Sequence, residues 1–487
     1  MSVSAWMARW PLRAAGLAVL VGSGACAVGP AYQRPETEPA PAAFKEATGD
    51  PTGIWAPAQP QDAVARGEWW KQYGDPELDA LESRVDVSSQ TIQQADAQFR
   101  EARAVLREDR SQYYPTVTVN PAITRQRIST NRSDQVVRST SSTQFSLPVD
   151  AAYEADVWGR VRQTVASGRA DAQASAADLE TIRLSVHAEV AADYLQLRAV
   201  DAERDLLDSS VEAFDRARQL TVNRYNAGVA ARGDVAQADA QLESTRAQAI
   251  DLGVQRAQLE HAIGVLVGQL PSTFALGHAP LAAQPPAVPL ALASDLLQRR
   301  PDIAAAERRV ASANARVGAA TTAFFPSVLI SATGGFQSSR VADWISLPSR
   351  FWSLGPSLAQ TVFDGGARRA VRDEAVAGYD QTVAAYRQSV LTAFQDVEDN
   401  LAALRILAEE ARTQDAAVAA ARQSTEIALN QYRTGFVSYL QVVTAQSEQL
   451  TDERAAVALL GRRYMASVDL VKALGGDWNA SALPHFK

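Results

Sequence analysis

The chain has little of what marks an enzyme or a disulfide scaffold. A single cysteine in 487 residues excludes an intrachain disulfide. The four histidines, His187, His261, His278 and His485, are scattered, and there is no H-E-x-x-H, no G-x-x-x-x-G-K-[ST] loop and no cysteine pair at metal-ligand spacing. His187 and His261 lie in helical sequence and read as packing or surface residues. Asp396, Glu398 and Asp399 read as a solvated helix face. No nucleophile–base pair stands out, so no catalytic residue, metal or cofactor is assigned and an envelope hydrolase is disfavoured. The net charge of −8 and the lack of a basic block give no support for nucleic-acid binding. No run reaches the ~18–20 apolar residues of a spanning helix, so any membrane insertion must come from strands. Proline is absent between Pro148 and Pro271 and again between Pro356 and Pro484, which leaves two long stretches free to be helical.

What the chain does contain, it contains twice. Phe325-Pro326 answers Tyr114-Pro115, Gly365 answers Gly159, and Gln431-Tyr432-Arg433-Thr434-Gly435 answers Arg224-Tyr225-Asn226-Ala227-Gly228. The near-constant offset is the mark of an internal duplication with small loop differences. Each repeat reads as a helix, two strands, a long helix, a sharp turn and a second long helix. The expected bounds are 66–270 and 294–474, with a Pro-rich linker over 271–293 that ends where Ser294-Asp295 opens a helix. A tail follows over 475–487.

The strands are expected over 115–125, 143–157, 326–338 and 351–363. In the first, Val117, Val119 and Ile123 share one face, and Thr116, Thr118, Asn120 and Thr124 the other. The second sets Phe145, Leu147, Val149, Ala151, Tyr153, Ala155 and Val157 against Gln144, Ser146, Asp150, Glu154 and Asp156. In the third, Val328, Ile330, Ala332 and Phe336 alternate with Ser327, Ser331, Thr333 and Gln337; in the fourth, Trp352, Leu354, Leu358 and Val362 alternate with Ser353, Gly355, Ser357 and Thr361, with Gln360 breaking the apolar face. Period two fits a soluble sandwich as well as a barrel with lipid outside and water inside. Strands of this length suit a tilted membrane crossing. Four strands cannot close, and open edges are not tolerated in lipid, so closure requires further copies of the chain. Spacing does not give their number.

The long helices are expected over 159–226, 230–268, 366–433 and 437–474. The first would span ~100 Å at ~1.5 Å per residue, too long for a small globular core, so the rods must pack on one another. Gly228 and Gly435 supply the helix-ending residue of each turn, and Asp234 favours the start of the next helix.

At the N-terminus, Arg9 and Arg13 precede the apolar run 14–21, and small residues lead to Cys26. This is a secretory leader over 1–25, too short to span. Cys26 reads as a lipid-attachment residue; a thiol lost with the leader or buried inertly is the other reading. Ser23 stands where bacterial lipoproteins usually carry Leu. The Pro- and Ala-rich residues 26–65 read as an extended tether.

Several of these stretches carry a resemblance. Cys26-Ala27-Val28-Gly29-Pro30-Ala31-Tyr32 with Pro35, Trp69-Trp70-Lys71-Gln72-Tyr73-Gly74-Asp75-Pro76-Glu77-Leu78, Arg299-Arg300-Pro301-Asp302-Ile303, Phe324-Phe325-Pro326 and Gly475-Gly476-Asp477-Trp478 are similar to signatures of the TolC-like outer-membrane efflux factors, NodT-type lipoprotein branch. The resemblance covers nearly the whole mature chain. It implies an α+β membrane protein with internal duplication. Three copies would give four strands each to a 12-stranded outer-membrane barrel, continued by a long antiparallel α-helical barrel in the periplasm. It also implies a non-enzymatic exit duct, lipid-anchored in the outer membrane of a Gram-negative bacterium. Drugs or other toxic small molecules would be delivered by a periplasmic adaptor and an inner-membrane pump, usually of the proton-driven resistance–nodulation–division type. The adaptor is expected at the tip turns, hence Arg224, Tyr225, Gly228, Tyr432, Arg433 and Gly435. Of the family's gate residues, Tyr432 and Asp234 match, whereas Val437 replaces an arginine and Gln441 and Thr444 replace aspartates. Leu440, with Tyr439 beside it, therefore suggests a partly apolar constriction that gates by dewetting. The competing readings are the exit duct of a metal-ion or ATP-driven exporter, and a lipid-anchored coiled-coil scaffold whose strands form a soluble cap.

Overall fold

The computed structural model describes residues 28–39, 41, 43–47, 55–57, 68–127, 141–282, 284–290, 299–476 and 478–486. The leader, Cys26, the helix opening at Ser294-Asp295 and most of the first strand–strand loop lie outside the described residues.

Seven helices carry the described fold: α1 Pro76–Ser88, α2 Gln90–Ser111, α3 Arg160–Asn226, α4 Arg232–Leu266, α5 Pro301–Thr322, α6 Ala367–Thr434 and α7 Tyr439–Ala473. The strands are β1 Trp55–Pro57, β2 Thr116–Val119, β3 Ala122–Arg127, β4 Ser141–Glu154, β5 Val288–Leu290, β6 Ser327–Ser338 and β7 Arg350–Ala359. α3 and α6 run 67 and 68 residues without interruption, as the proline-free stretches predict. At ~1.5 Å per residue each is a rod of ~100 Å.

Several bounds differ from expectation by a few residues, the second strand ending at Glu154 rather than residue 157, and three of the differences have a local reason. The first strand breaks into β2 and β3 at Asn120-Pro121, where proline has no N–H to give the ladder. The fourth ends at Ala359, before Gln360 disrupts the apolar face. α7 starts at Tyr439, later than residue 437, because Ser438 holds an extended N-cap conformation.

One antiparallel sheet runs β2/β3, β4, β6, β7, so β2/β3 and β7 are its two open edges. The helices form a second layer in line with it. α3 packs on α2 and α5 near the sheet and on α4 and α7 farther away, while α6 packs on α5 and then α7. Arg316 to Asp171 (2.8 Å) and Ser167 to Ser312 (2.9 Å) join α5 to the first part of α3. The wall therefore ends on first-repeat elements along one side and on second-repeat elements along the other, in both layers. A short parallel pair, β1 with β5, ties the tether to the inter-repeat linker.

The main apolar core sits midway along the rods, where α1, the linker and the tether wrap them. Trp69, Trp70, Leu78, Tyr194, Ile303, Leu401 and Val468 belong to it. The tether docks there through long-range contacts. Arg34 Nε donates to the Tyr386 hydroxyl at 3.0 Å, Phe44 is buried near Phe394, and the backbone N–H groups of Lys45 and Glu46 donate to Glu398 at 2.7 and 2.9 Å. Glu398 is thus an anchor for the tether, and Asp396 accepts from Arg300 Nη1 at 3.1 Å, so neither carboxylate is the simple solvated group expected.

A buried ionic set fixes the linker. Asp201, fully buried, accepts from Arg198 (3.1 Å) and Arg256 (2.8 Å), and Arg198 also donates to the Gly277 carbonyl at 2.6 Å. Multiple partners offset the cost of burying these charges; removing one would strand the others.

His187 is a packing residue with a partner. Its ring stacks on Trp70 at 4.6 Å and 13°, and its Nδ1 lies 2.7 Å from Glu82 Oε2. Glu82 is fully buried, with Asp79 and Asp86 nearby on α1, and burial pushes its carboxyl up to about 7. A raised native value means that this group's contribution is complete below its ordinary value near 4.5 and is lost as pH climbs through about 7. Docking of α1 is therefore expected to weaken by at most on the order of 3 kcal/mol across that window, and Glu82→Gln to flatten the dependence. Hydrogen exchange of Pro76–Ser88 against pH checks this; an unchanged slope in the variant would refute it.

Candidate functional site

Strand register settles which residues share each face of the sheet. Val117 pairs with Ala151, Ile123 with Phe145, Leu147 with Phe336, Tyr153 with Ile330, and Ala332 with Leu354. Successive residues alternate sides, so Val117, Val119, Ile123, Phe145, Leu147, Val149, Tyr153, Val328, Ile330, Phe336, Trp352, Leu354 and Leu358 form one apolar face. The other carries Thr118, Asn120, Gln144, Ser146, Asp150, Ser331, Thr333, Gln337, Ser353 and Ser357. Asp150 is held there by the Thr333 hydroxyl, which donates to it at 2.7 Å. The apolar face is bare: Trp352, Leu354 and Leu358 are all strongly exposed. A single sheet with one bare apolar face and one hydroxyl-lined face suits lipid on one side and water on the other.

β4 leads directly into α3, where Arg160 Nε donates to Glu154 at 2.7 Å and Asp156 accepts the N–H groups of Val161 and Arg162 at 3.0 and 2.9 Å. The strand is thus rigidly spliced to a ~100 Å rod, so the polar face continues into a helical wall.

At the far end the two turns meet. Gly228 (φ 77°) and Gly435 (φ 85°) take the left-handed conformation that ends each long helix. The guanidinium of Arg224 lies 4.6 Å from the ring of Tyr432 and donates to the Arg433 carbonyl at 3.1 Å, linking the turns. Tyr432 is buried, with its hydroxyl 3.3 Å from Thr221 Oγ1, and its ring centroid is 5.4 Å from that of Tyr439. Burial pushes the Tyr439 hydroxyl up to about 12. Asp234 accepts the N–H of Ala231 at 3.2 Å, as a cap on its own helix.

The expected gate residues therefore divide. Leu440, Gln441 and Thr444 are exposed and line a groove of about 650 Å³ with Ile427 and Gln431. Tyr439 faces the opposite way, into the packing around Val442 and Ala238, because neighbouring residues on a helix lie ~100° apart. Tyr432 and Asp234 are not joined within one chain. Tyr225 is exposed, as are Arg433 and the apolar tip residues Val229 and Phe436. The Arg224–Tyr432 stack was not foreseen; its only sequence signal is that Arg224 and Gln431 differ at equivalent turn positions.

A one-layer sheet with lipid-facing and water-facing sides, spliced to an antiparallel helical wall, defines an outer-membrane channel with a periplasmic tunnel. The profile of the outer membrane efflux protein family matches residues 81–269 and 292–476, one match per repeat, and the chain belongs to that family. It is 31% identical over 458 residues, 93% of each chain, to the probable efflux pump outer membrane protein TtgC of Pseudomonas putida. It is 30% identical over 441 residues to the pyoverdine export outer membrane protein OpmQ of Pseudomonas aeruginosa, covering 88% of this chain and 93% of that one. The outer-membrane channel OprN superposes with a TM-score of 0.87 at 32% identity, over 93% of this chain and 99% of that one. The protein is an outer-membrane exit channel of a tripartite efflux system, with a large periplasmic portion.

Arg224→Met keeps side-chain length but removes the cation. It is expected to cost about 1 kcal/mol at the tip, read as roughly fivefold faster hydrogen exchange around residues 221–229 and 429–437. Tyr432→Phe, which keeps the ring, is expected to change exchange far less.

Proposed function

We propose that three copies of the chain close into one passive duct, β7 of each pairing with β2/β3 of the next to give twelve strands. The observation that carries this reading is the two-faced sheet with two open edges, matched by a helical wall open along the same two sides. Unpaired strand edges in hydrocarbon are too costly to persist, and identical copies offer complementary edges. The duct moves cargo by diffusion and performs no catalysis. Drug-like or otherwise toxic small molecules enter from a periplasmic adaptor fed by an inner-membrane pump of the proton-driven resistance–nodulation–division type. The adaptor meets the tip turns at Arg224, Tyr225, Gly228, Arg433 and Gly435, where exposed Val229 and Phe436 add apolar contact area; Tyr432, expected among the contacts, is buried beneath Arg224 and joins the two turns instead. Leu440 forms the constriction, flanked by Gln441 and Thr444, with Tyr432, Tyr439 and Asp234 as its backing.

Cys26 is the lipid anchor in this reading. The Val28 N–H donates to the Trp158 carbonyl at 3.0 Å, just below the end of β4. An acyl chain carried two residues before Val28 would enter the inner leaflet beside that end of the sheet.

The purified protein is expected to require detergent and to show three times the chain mass by light scattering; a monomer soluble without detergent would overturn the closure. In planar bilayers, Leu440→Ser is expected to raise single-channel conductance by wetting the constriction. Unchanged conductance would remove Leu440 from that role.

A further inference from the structure

We infer that the seams between neighbouring copies hold a binding site for phosphate-bearing lipid headgroups of the outer leaflet, built from Arg125 and Arg127 of one copy and Arg350 of the adjoining one. The inference rests on the three-copy closure proposed above.

Register is the first argument. Arg125 pairs with Thr143 and Arg127 with Ser141, in the same phase as Ile123 with Phe145, so both arginines continue the apolar, lipid-facing row of β3. Arg350 pairs with Phe336, in phase with Trp352 opposite Gly334, so it continues the lipid-facing row of β7. Each outward row thus passes from apolar residues to arginine at the same end of the sheet. That end is opposite the splice into α3 and therefore faces the cell exterior.

Location is the second. β3 and β7 are the two open edges of the sheet, so in the proposed closure the edge that carries Arg125 and Arg127 adjoins the edge that carries Arg350 at every seam. A lone protomer has half the site on each side.

Chemistry is the third. Lipid-facing arginine is expensive in the hydrocarbon but tolerated at the interface, and the planar guanidinium matches phosphate oxygens through paired N–H donors. All three residues are exposed, and so is Trp352 immediately below Arg350, where an aromatic residue suits the boundary between acyl chains and headgroups. In the loop above β7, Asp343 accepts an ion pair from Arg340 at 2.8 Å. Arg340 is off the strand register and serves as a control.

The test uses full-length protein in phosphatidylcholine nanodiscs, with diphosphorylated lipid A titrated in and bound lipid counted by native mass spectrometry. The wild type is expected to bind up to three lipid A molecules per trimer. Arg125→Gln/Arg127→Gln/Arg350→Gln is expected to weaken binding on the order of a hundredfold, each arginine supplying about a fivefold factor. Arg340→Gln is expected to bind as the wild type does, and millimolar pyrophosphate not to displace the lipid. Should the glutamine variant fail to assemble, the matching triple lysine variant, which keeps charge without the planar fork, is expected to bind about tenfold more weakly than wild type. A trimer whose lipid A binding survives the glutamine substitutions overturns the seam site alone, as does lysine-variant binding equal to wild type. Equal displacement by pyrophosphate would make it a free-anion site. A wild-type monomer in the nanodisc would overturn both the seam site and the closure.

Discussion

The backbone of this sheet has nowhere to put its edge groups. Each strand supplies a row of N–H and C=O groups, and β4 and β6 satisfy theirs on both sides. β2/β3 and β7 satisfy one side each, next to an apolar face that belongs in hydrocarbon, where water cannot substitute. Everything else follows from that unsatisfied pair of edges. It favours ring closure over an open sheet, forces the polar face inward, and brings opposite edges of the chain together at a seam. The helical wall obeys the same geometry because β4 is spliced rigidly into α3 by Arg160, Glu154 and Asp156.

The helices solve a different problem. Rods of this length bury too little apolar surface per residue to be rigid alone, so the mid-section is reinforced. The core around Trp70, Tyr194 and Leu401 is wrapped by chain segments distant in sequence, and buried ions fix the wrapping in place. Arg198 touches Glu77 in the first turn of α1, Asp201 on its own helix and the Gly277 carbonyl in the linker. Such a set adds little net stability over an apolar replacement, since desolvation offsets the attraction. Its effect is positional: it gives the linker one seat on α3.

Much of this was legible in sequence because its signals are local and periodic. Alternation from Gln144 to Glu154 and the proline-free stretches needed only neighbouring residues, and the duplication made each reading checkable against its copy. What was missed depends on distance. The extended character of the tether could be read from its composition, but not its docking, since Glu398 lies more than 350 residues from Lys45 and Glu46. Helix polarity at Asp396 and Glu398 looked like solvation because a charged face seeking water and one awaiting a partner have the same composition. Tyr439 and Leu440 could not be separated by pattern alone. Both are large and adjacent, and only the packing around Tyr432 shows which one turns inward. The outward arginines were hidden by the masking effect of charge on an alternating pattern: Arg125 and Arg127 look like a strand end until the register shows that they keep its phase.

Duplication also explains the asymmetry of the tip. Two copies of one turn, placed side by side, would present like to like, and nothing would favour a particular offset between them. Here the first repeat keeps arginine at the position where the second has Gln431, and the second buries its tyrosine where the first leaves Tyr225 exposed. The cation of one turn then stacks on the aromatic ring of the other, an attraction that two identical turns meeting in register would not select. Divergence at a few turn residues thus converts a repeat into a pair of unlike partners. In a closed ring the hairpins must alternate between these two kinds, so the tunnel mouth has threefold rather than sixfold character.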